Sequence, residues 1–77
     1  MIEMEYTVLI HPADEGGYWV EVPALPGCFS QGETVEEAIE NSRDAIESYI
    51  LALKEDHKPA PLEKDILIGK VSVEIAA

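Results

Sequence analysis

Polar and apolar residues alternate from Ile2 to His11. Ile2, Met4, Tyr6, Val8 and Ile10 share one face, and Glu3, Glu5, Thr7, Leu9 and His11 share the other. A period of two predicts a strand buried on one side. Pro12 to Gly17 is turn material, with Asp14 and the pair Gly16-Gly17 inside it. Alternation resumes from Tyr18 to Val22, with Tyr18, Val20 and Val22 set against Trp19 and Glu21. Pro23 and Pro26 close that strand, because proline donates nothing to a central ladder. A third short strand is predicted over Gly27 to Gly32, carrying Cys28 and Phe29.

From Thr34 the period changes to that of a helix. Thr34 and Glu37 stand at capping-box spacing, where each side chain takes an orphan backbone N–H at the helix start. Val35, Ala38, Ile39, Ser42, Ala45, Ile46, Tyr49, Ile50 and Leu53 then form a wide stripe on one face, lasting to about Lys54. Pro59 and Pro61 require the helix to have ended near Lys58. Lys58 to Asp65 reads as a linker. Ile66 to Ile75 returns to a strand pattern, with Val71, Val73 and Ile75 on one side. The predicted order is β-β-β-α-β, an α+β domain with one helix on one sheet face. The long connection through the helix predicts a last strand parallel to a neighbour.

Length and charge narrow the function. At 77 residues the chain is one domain, 1–77, and 47% of it is hydrophobic, enough for a small core. So short a chain buries only about 60% of its unfolded surface, which favours self-association, at least as a homodimer. Five basic residues against 16 acidic ones give a net charge of −11. The chain is therefore not expected to bind nucleic acid by itself, nor an anionic membrane surface. Glu3 and Glu5 interrupt the N-terminus, so no secretory leader is expected, and no apolar run reaches membrane-helix length. A single cysteine excludes an internal disulfide. A cytoplasmic protein is the expectation.

The candidates for chemistry are few. Cys28 and His11 are a conceivable thiol–base couple, but nothing is placed to orient the base. Cys28, His11 and His57 lack paired metal-ligand spacing, so no metal site or cofactor is expected. His57 reads instead as a partner for the helix dipole. Asp14 and Glu15 lie in a turn, and Glu3 and Glu5 point away from the helix. A two-metal site would need such carboxylates to converge.

Two surfaces are more informative. Glu36, Glu40, Asp44 and Glu47 form one stripe opposite the buried helix face, flanked by Arg43 and Lys54 and ending near Leu51. Like charges at i, i+4 cost a few tenths of a kcal/mol per pair. A solubilising face explains them; so does a docking surface for a basic partner, with Leu51 as apolar anchor. If Tyr18, Val20 and Val22 face the helix, then Leu9, Trp19 and Phe29 face the uncovered side. A contiguous patch of that kind marks an interface, here an oligomer contact.

The run Gly17-Tyr18-Trp19-Val20-Glu21-Val22-Pro23, then Leu25-Pro26-Gly27-Cys28, then Gln31-Gly32-Glu33-Thr34-Val35-Glu36-Glu37-Ala38, with Asn41 and Ala45 following, resembles the HicB-like antitoxin family. The resemblance covers essentially the whole chain. It implies a partial RNase H-like fold and the role of a type II antitoxin. The implied partner is a HicA toxin, a small basic ribonuclease with a double-stranded-RNA-binding-like fold that cleaves mRNA. Many members of the family add a C-terminal helix-turn-helix or ribbon-helix-helix. The sequence given ends at Ala77, so repression of its own operon is not expected of it. The alternatives are a degenerate RNase H-like hydrolase, or an orphan acidic binding protein with no toxin partner.

Overall fold

The computed structural model describes residues 3–64 and 66–76. Three strands and one helix follow one another: β1 (Leu9–Pro12), β2 (Tyr18–Glu21), β3 (Phe29–Gly32) and α1 (Val35–Glu55). The sheet is antiparallel in the order β1-β2-β3. Leu9 lies opposite Glu21 and Pro12 opposite Tyr18; across the other ladder Tyr18 lies opposite Gly32 and Glu21 opposite Phe29. This is an α+β domain, as the change of period predicts.

The turns close by local backbone bonds. Ala13 N–H donates to the Gly17 carbonyl at 3.0 Å. Between β2 and β3, Cys28 N–H donates to the Leu25 carbonyl at 3.0 Å around Pro26-Gly27. Gly27 there has φ 81°, the conformation that a turn with proline at its second position requires of its third. Leu25 is fully buried beneath this turn, beside Val22 and Cys28. Tyr49 of the helix donates its hydroxyl to the Pro26 carbonyl at 2.9 Å and ties the turn down.

The helix begins where its capping chemistry says. The Thr34 hydroxyl accepts from Glu37 N–H at 3.0 Å, and Glu37 reaches back to Glu33 N–H at 3.3 Å. α1 lies over β3 and, less closely, β2. Gly32 permits that approach: a Cβ there would stand 2.8 Å from the Cα of Ala38. Asn41 donates to the Gln31 carbonyl at 2.8 Å, so the helix also serves the β3 backbone.

At its other end the helix closes with His57 N–H on the Lys54 carbonyl (3.0 Å) and Lys58 N–H on the Leu53 carbonyl (2.9 Å). This is a Schellman closure, with His57 at φ 56°. His57 therefore occupies the position that glycine favours. A Cβ in the left-handed region costs about 1–2 kcal/mol. His57→Gly is expected to gain about 0.5–1 kcal/mol net, because glycine also frees the unfolded chain. Thermal unfolding should show a rise in Tm of about 4 °C.

Two expectations need correction. The first strand does not run from Ile2. Ile2 lies outside the described residues, and the ladder starts only at Leu9. The cause is on the partner strand. The register carries Thr7 opposite Pro23, which has no N–H to give to the first strand. The fifth predicted element is also not formed. Among the described residues 66–76 there is no strand, and no parallel crossover is made. The linker is held by Tyr6, which donates its hydroxyl to the Pro61 carbonyl, and by Glu63, which takes the backbone N–H and the hydroxyl of Thr7. Beyond it the chain runs into solvent, with Leu67 95%, Val71 87% and Ile75 84% exposed.

Candidate protein-binding surfaces

The outer face of α1 carries Glu36, Glu40, Asp44 and Glu47, all exposed. Among the described residues the one ion pair on this face joins Arg43 Nε to Glu40 Oε1 at 3.6 Å, between groups both more than half exposed. A pair of that kind is screened by water and leaves the stripe negative. Leu51, 57% exposed, stands at its C-terminal end. The placement expected for these five residues is thus realised on one continuous face.

The sheet face away from the helix carries the second set. Leu9 lies opposite Glu21, and Glu21 opposite Phe29, so the three form one row across the sheet. His11, Trp19 and Gln31 form the next row. The rings of His11 and Trp19 stack with centroids 4.1 Å apart, and Trp19 meets Phe29 at 6.3 Å. His11 Nε2 lies 3.3 Å from Glu21 Oε1. Leu9 is half-buried, whereas Trp19 is 38% and Phe29 59% exposed. The patch is contiguous, but the imidazole and a carboxylate give it a polar margin.

The couple Cys28–His11 is not assembled. Cys28 is buried with Val22 and Leu25 against Ala45, Ile46 and Tyr49, on the helix side, whereas His11 lies on the opposite face. Burial pushes the Cys28 thiol above its ordinary pKa. A thiol so held stays protonated, and alkylation requires the thiolate. Iodoacetamide at pH 8 is therefore expected to label the native protein about 100-fold more slowly than the denatured protein, measured by intact mass. His57 lies at the helix end, apart from both. Among the described residues no three His, Cys, Asp or Glu side chains converge as a metal site would require.

A third surface escaped the sequence reading. A groove of about 570 Å³ opens between Glu3, Met4 and Tyr6 and the helix residues Arg43, Ile46, Glu47, Ile50, Leu51 and Lys54. The helix stripe is wider than a three-stranded sheet can cover, and Ile39, 41% exposed, lies on its uncovered flank. The signal was in the sequence: Ile39, Ile46 and Ile50 lie to one side of the Ala38, Ser42, Ala45, Tyr49 line. Tyr6, beside this groove, has its phenol held above the ordinary pKa by burial and by the Glu63 carboxylate.

No helix among the described residues is long and apolar enough to cross a membrane. Residues 6–73 match the profile of the HicB_like antitoxin of bacterial toxin-antitoxin system. The UPF0150 protein ssr1765 of Synechocystis is 47% identical over 68 residues, covering 88% of this chain and 85% of that protein. The UPF0150 protein Ta0767 of Thermoplasma acidophilum is 50% identical over 58 residues, covering 75% and 84%. Antitoxin HicB of Escherichia coli K12 is 42% identical over 59 residues, which cover 77% of this chain and 43% of that longer protein.

Proposed function

The chain belongs to the HicB-like antitoxin family of bacterial toxin–antitoxin systems, and we propose that it neutralises a small basic ribonuclease of the HicA type by covering its RNA-binding surface. The observation that carries this reading is the stripe Glu36, Glu40, Asp44 and Glu47, exposed and nearly unpaired on a chain of net charge −11. A surface that binds RNA must be basic, and an acidic surface competes with the phosphates for it. Leu51 beside the stripe offers an apolar anchor of the kind that holds a steered complex together. The action is occupancy rather than chemistry, and its place is the cytoplasm, where mRNA is cleaved.

Self-association is part of this reading. Trp19 and Phe29, both exposed, and the half-buried Leu9 form a patch on the sheet face that the helix leaves open. The test of the role is direct. A small basic ribonuclease of the HicA type is assayed for RNA cleavage while this chain is titrated in. Cleavage that stops at a fixed stoichiometry supports the reading. Undiminished cleavage, or metal-dependent cleavage by this chain alone, rejects it.

A further inference from the structure

The groove beside α1 continues past Ile46. A second hollow of about 290 Å³ shares Met4, Tyr6 and Ile46 with it and carries it on to Ile39. Together they form one trough along the helix from Ile39 to Leu51, about 18 Å long at 1.5 Å per residue. Met4, Ile39 and Leu51 are 36%, 41% and 57% exposed, so apolar side chains meet solvent along its length.

The charge lies beside this floor. Four charged side chains line the trough, Glu3 and Glu47 against Arg43 and Lys54. The imbalance is one row further out. At about 100° per residue, Ile39, Ile46 and Ile50 fall within about 40° of one another on α1, and Glu36, Glu40 and Glu47 within about 40° of one another next to them. Asp44 lies beyond. Arg43 is drawn to Glu40 at 3.6 Å, and the rim on the helix side is acidic.

The backbone decides the shape of the occupant. Among the described residues no strand borders the trough: residues 3–8 lie outside the sheet, and Thr7 N–H is taken by Glu63. An extended occupant finds no ladder to join there. A helix satisfies its own backbone and presents apolar side chains at i, i+3, i+4 and i+7. Three turns of helix span about 16 Å, which matches the trough.

We propose that this trough seats a basic amphipathic helix of the protein partner, with its apolar face on Met4, Ile39, Ile46 and Ile50 and its lysines or arginines against Glu36, Glu40 and Glu47. The choice of a basic partner rests on the antitoxin reading; the trough and its shape do not. A second copy of this chain would set acid against acid at the same rim.

The test uses the full chain and a synthetic probe, a fluorescein-labelled lysine-rich helical peptide with leucine at i, i+3, i+4 and i+7. Fluorescence anisotropy is expected to give a dissociation constant of about 10 µM. Serine in place of the leucines should weaken binding at least about 10-fold at physiological salt, where charge alone is screened. Met4→Ser, Ile39→Ser and Leu51→Ser together should weaken it about 10-fold or more, with helical circular dichroism retained. On the unaltered chain, amide NMR shifts caused by the peptide should centre on Ile39 to Leu51. Equal binding of the serine peptide overturns the proposal, as do shifts centred on Trp19 and Phe29. So does binding that requires Val71→Asp with Val73→Asp to clear the chain's own segment from the trough. A HicA-type ribonuclease separates the two readings. Inhibition undiminished by the three serine changes overturns the trough and leaves the antitoxin role standing. No inhibition, with the leucine peptide still seated, overturns the antitoxin role and leaves the trough standing.

Discussion

Gly32→Ala is expected to cost about 3 kcal/mol, near the upper end of overpacking changes. The reason is what the added methyl would meet. It would stand 2.8 Å from the Ala38 Cα and 2.8 Å from the Glu37 carbonyl carbon, both helix backbone. No rotamer change relieves a contact with backbone, so the helix must rise from β3 as a body. That movement would break the Asn41–Gln31 bond and loosen Ala38, which is fully buried. A domain of 77 residues has about 4–12 kcal/mol of stability to lose. Thermal unfolding should therefore show a fall in Tm of about 15 °C. An unchanged Tm would mean that the helix does not pack on the Gly32 backbone.

Gly32 also shows which features were legible beforehand. As a sequence feature it marked only the end of the third strand. Its use as the contact point of the helix depends on the angle at which α1 crosses β3, which no local pattern states. The helix itself was legible because its determinants are local: Thr34 and Glu37 set the start, and the prolines after Lys58 set a limit. The break after strand 2, at Pro23 and Pro26, was legible for the same reason. Strand 1 was misjudged in length because alternation reports which face is buried, and says nothing about whether the partner strand can hydrogen-bond. Pro23, already taken as the end of strand 2, also ends the ladder with strand 1 at Leu9.

The last predicted strand failed for a related reason. Val71, Val73 and Ile75 state that a face is to be buried, and leave open whose edge will bury it. The binding surfaces divide in the same way. The acidic stripe is a property of one helix and is read directly from its period. The patch of Leu9, Trp19 and Phe29 needed only the sheet register, and the structure places all three on one face. The groove at Ile46 and Ile50 needed the number of strands, which the sequence overstated by one.

Changing Glu36, Glu40, Asp44 and Glu47 together to glutamine is expected to slow association with the proposed basic toxin about 10-fold or more at low salt. All four are exposed, and among the described residues Arg43 alone pairs with the stripe, at 3.6 Å from Glu40. Their charge therefore projects into solvent and attracts a basic surface before contact. Steering of this kind is screened beyond a Debye length of about 8–10 Å, so the difference from the unaltered chain should shrink at high salt. Dissociation should change less, because rim charges act mainly on encounter, and Leu51 would remain as an anchor. The changes should not unfold the helix: removing like charges at i, i+4 relieves a few tenths of a kcal/mol per pair. Stopped-flow association at low and high salt reads both effects in one experiment. If the rates at low salt are unchanged, the stripe lies outside the interface. The sheet face around Trp19, whose ring stacks on His11, then becomes the surface to test next.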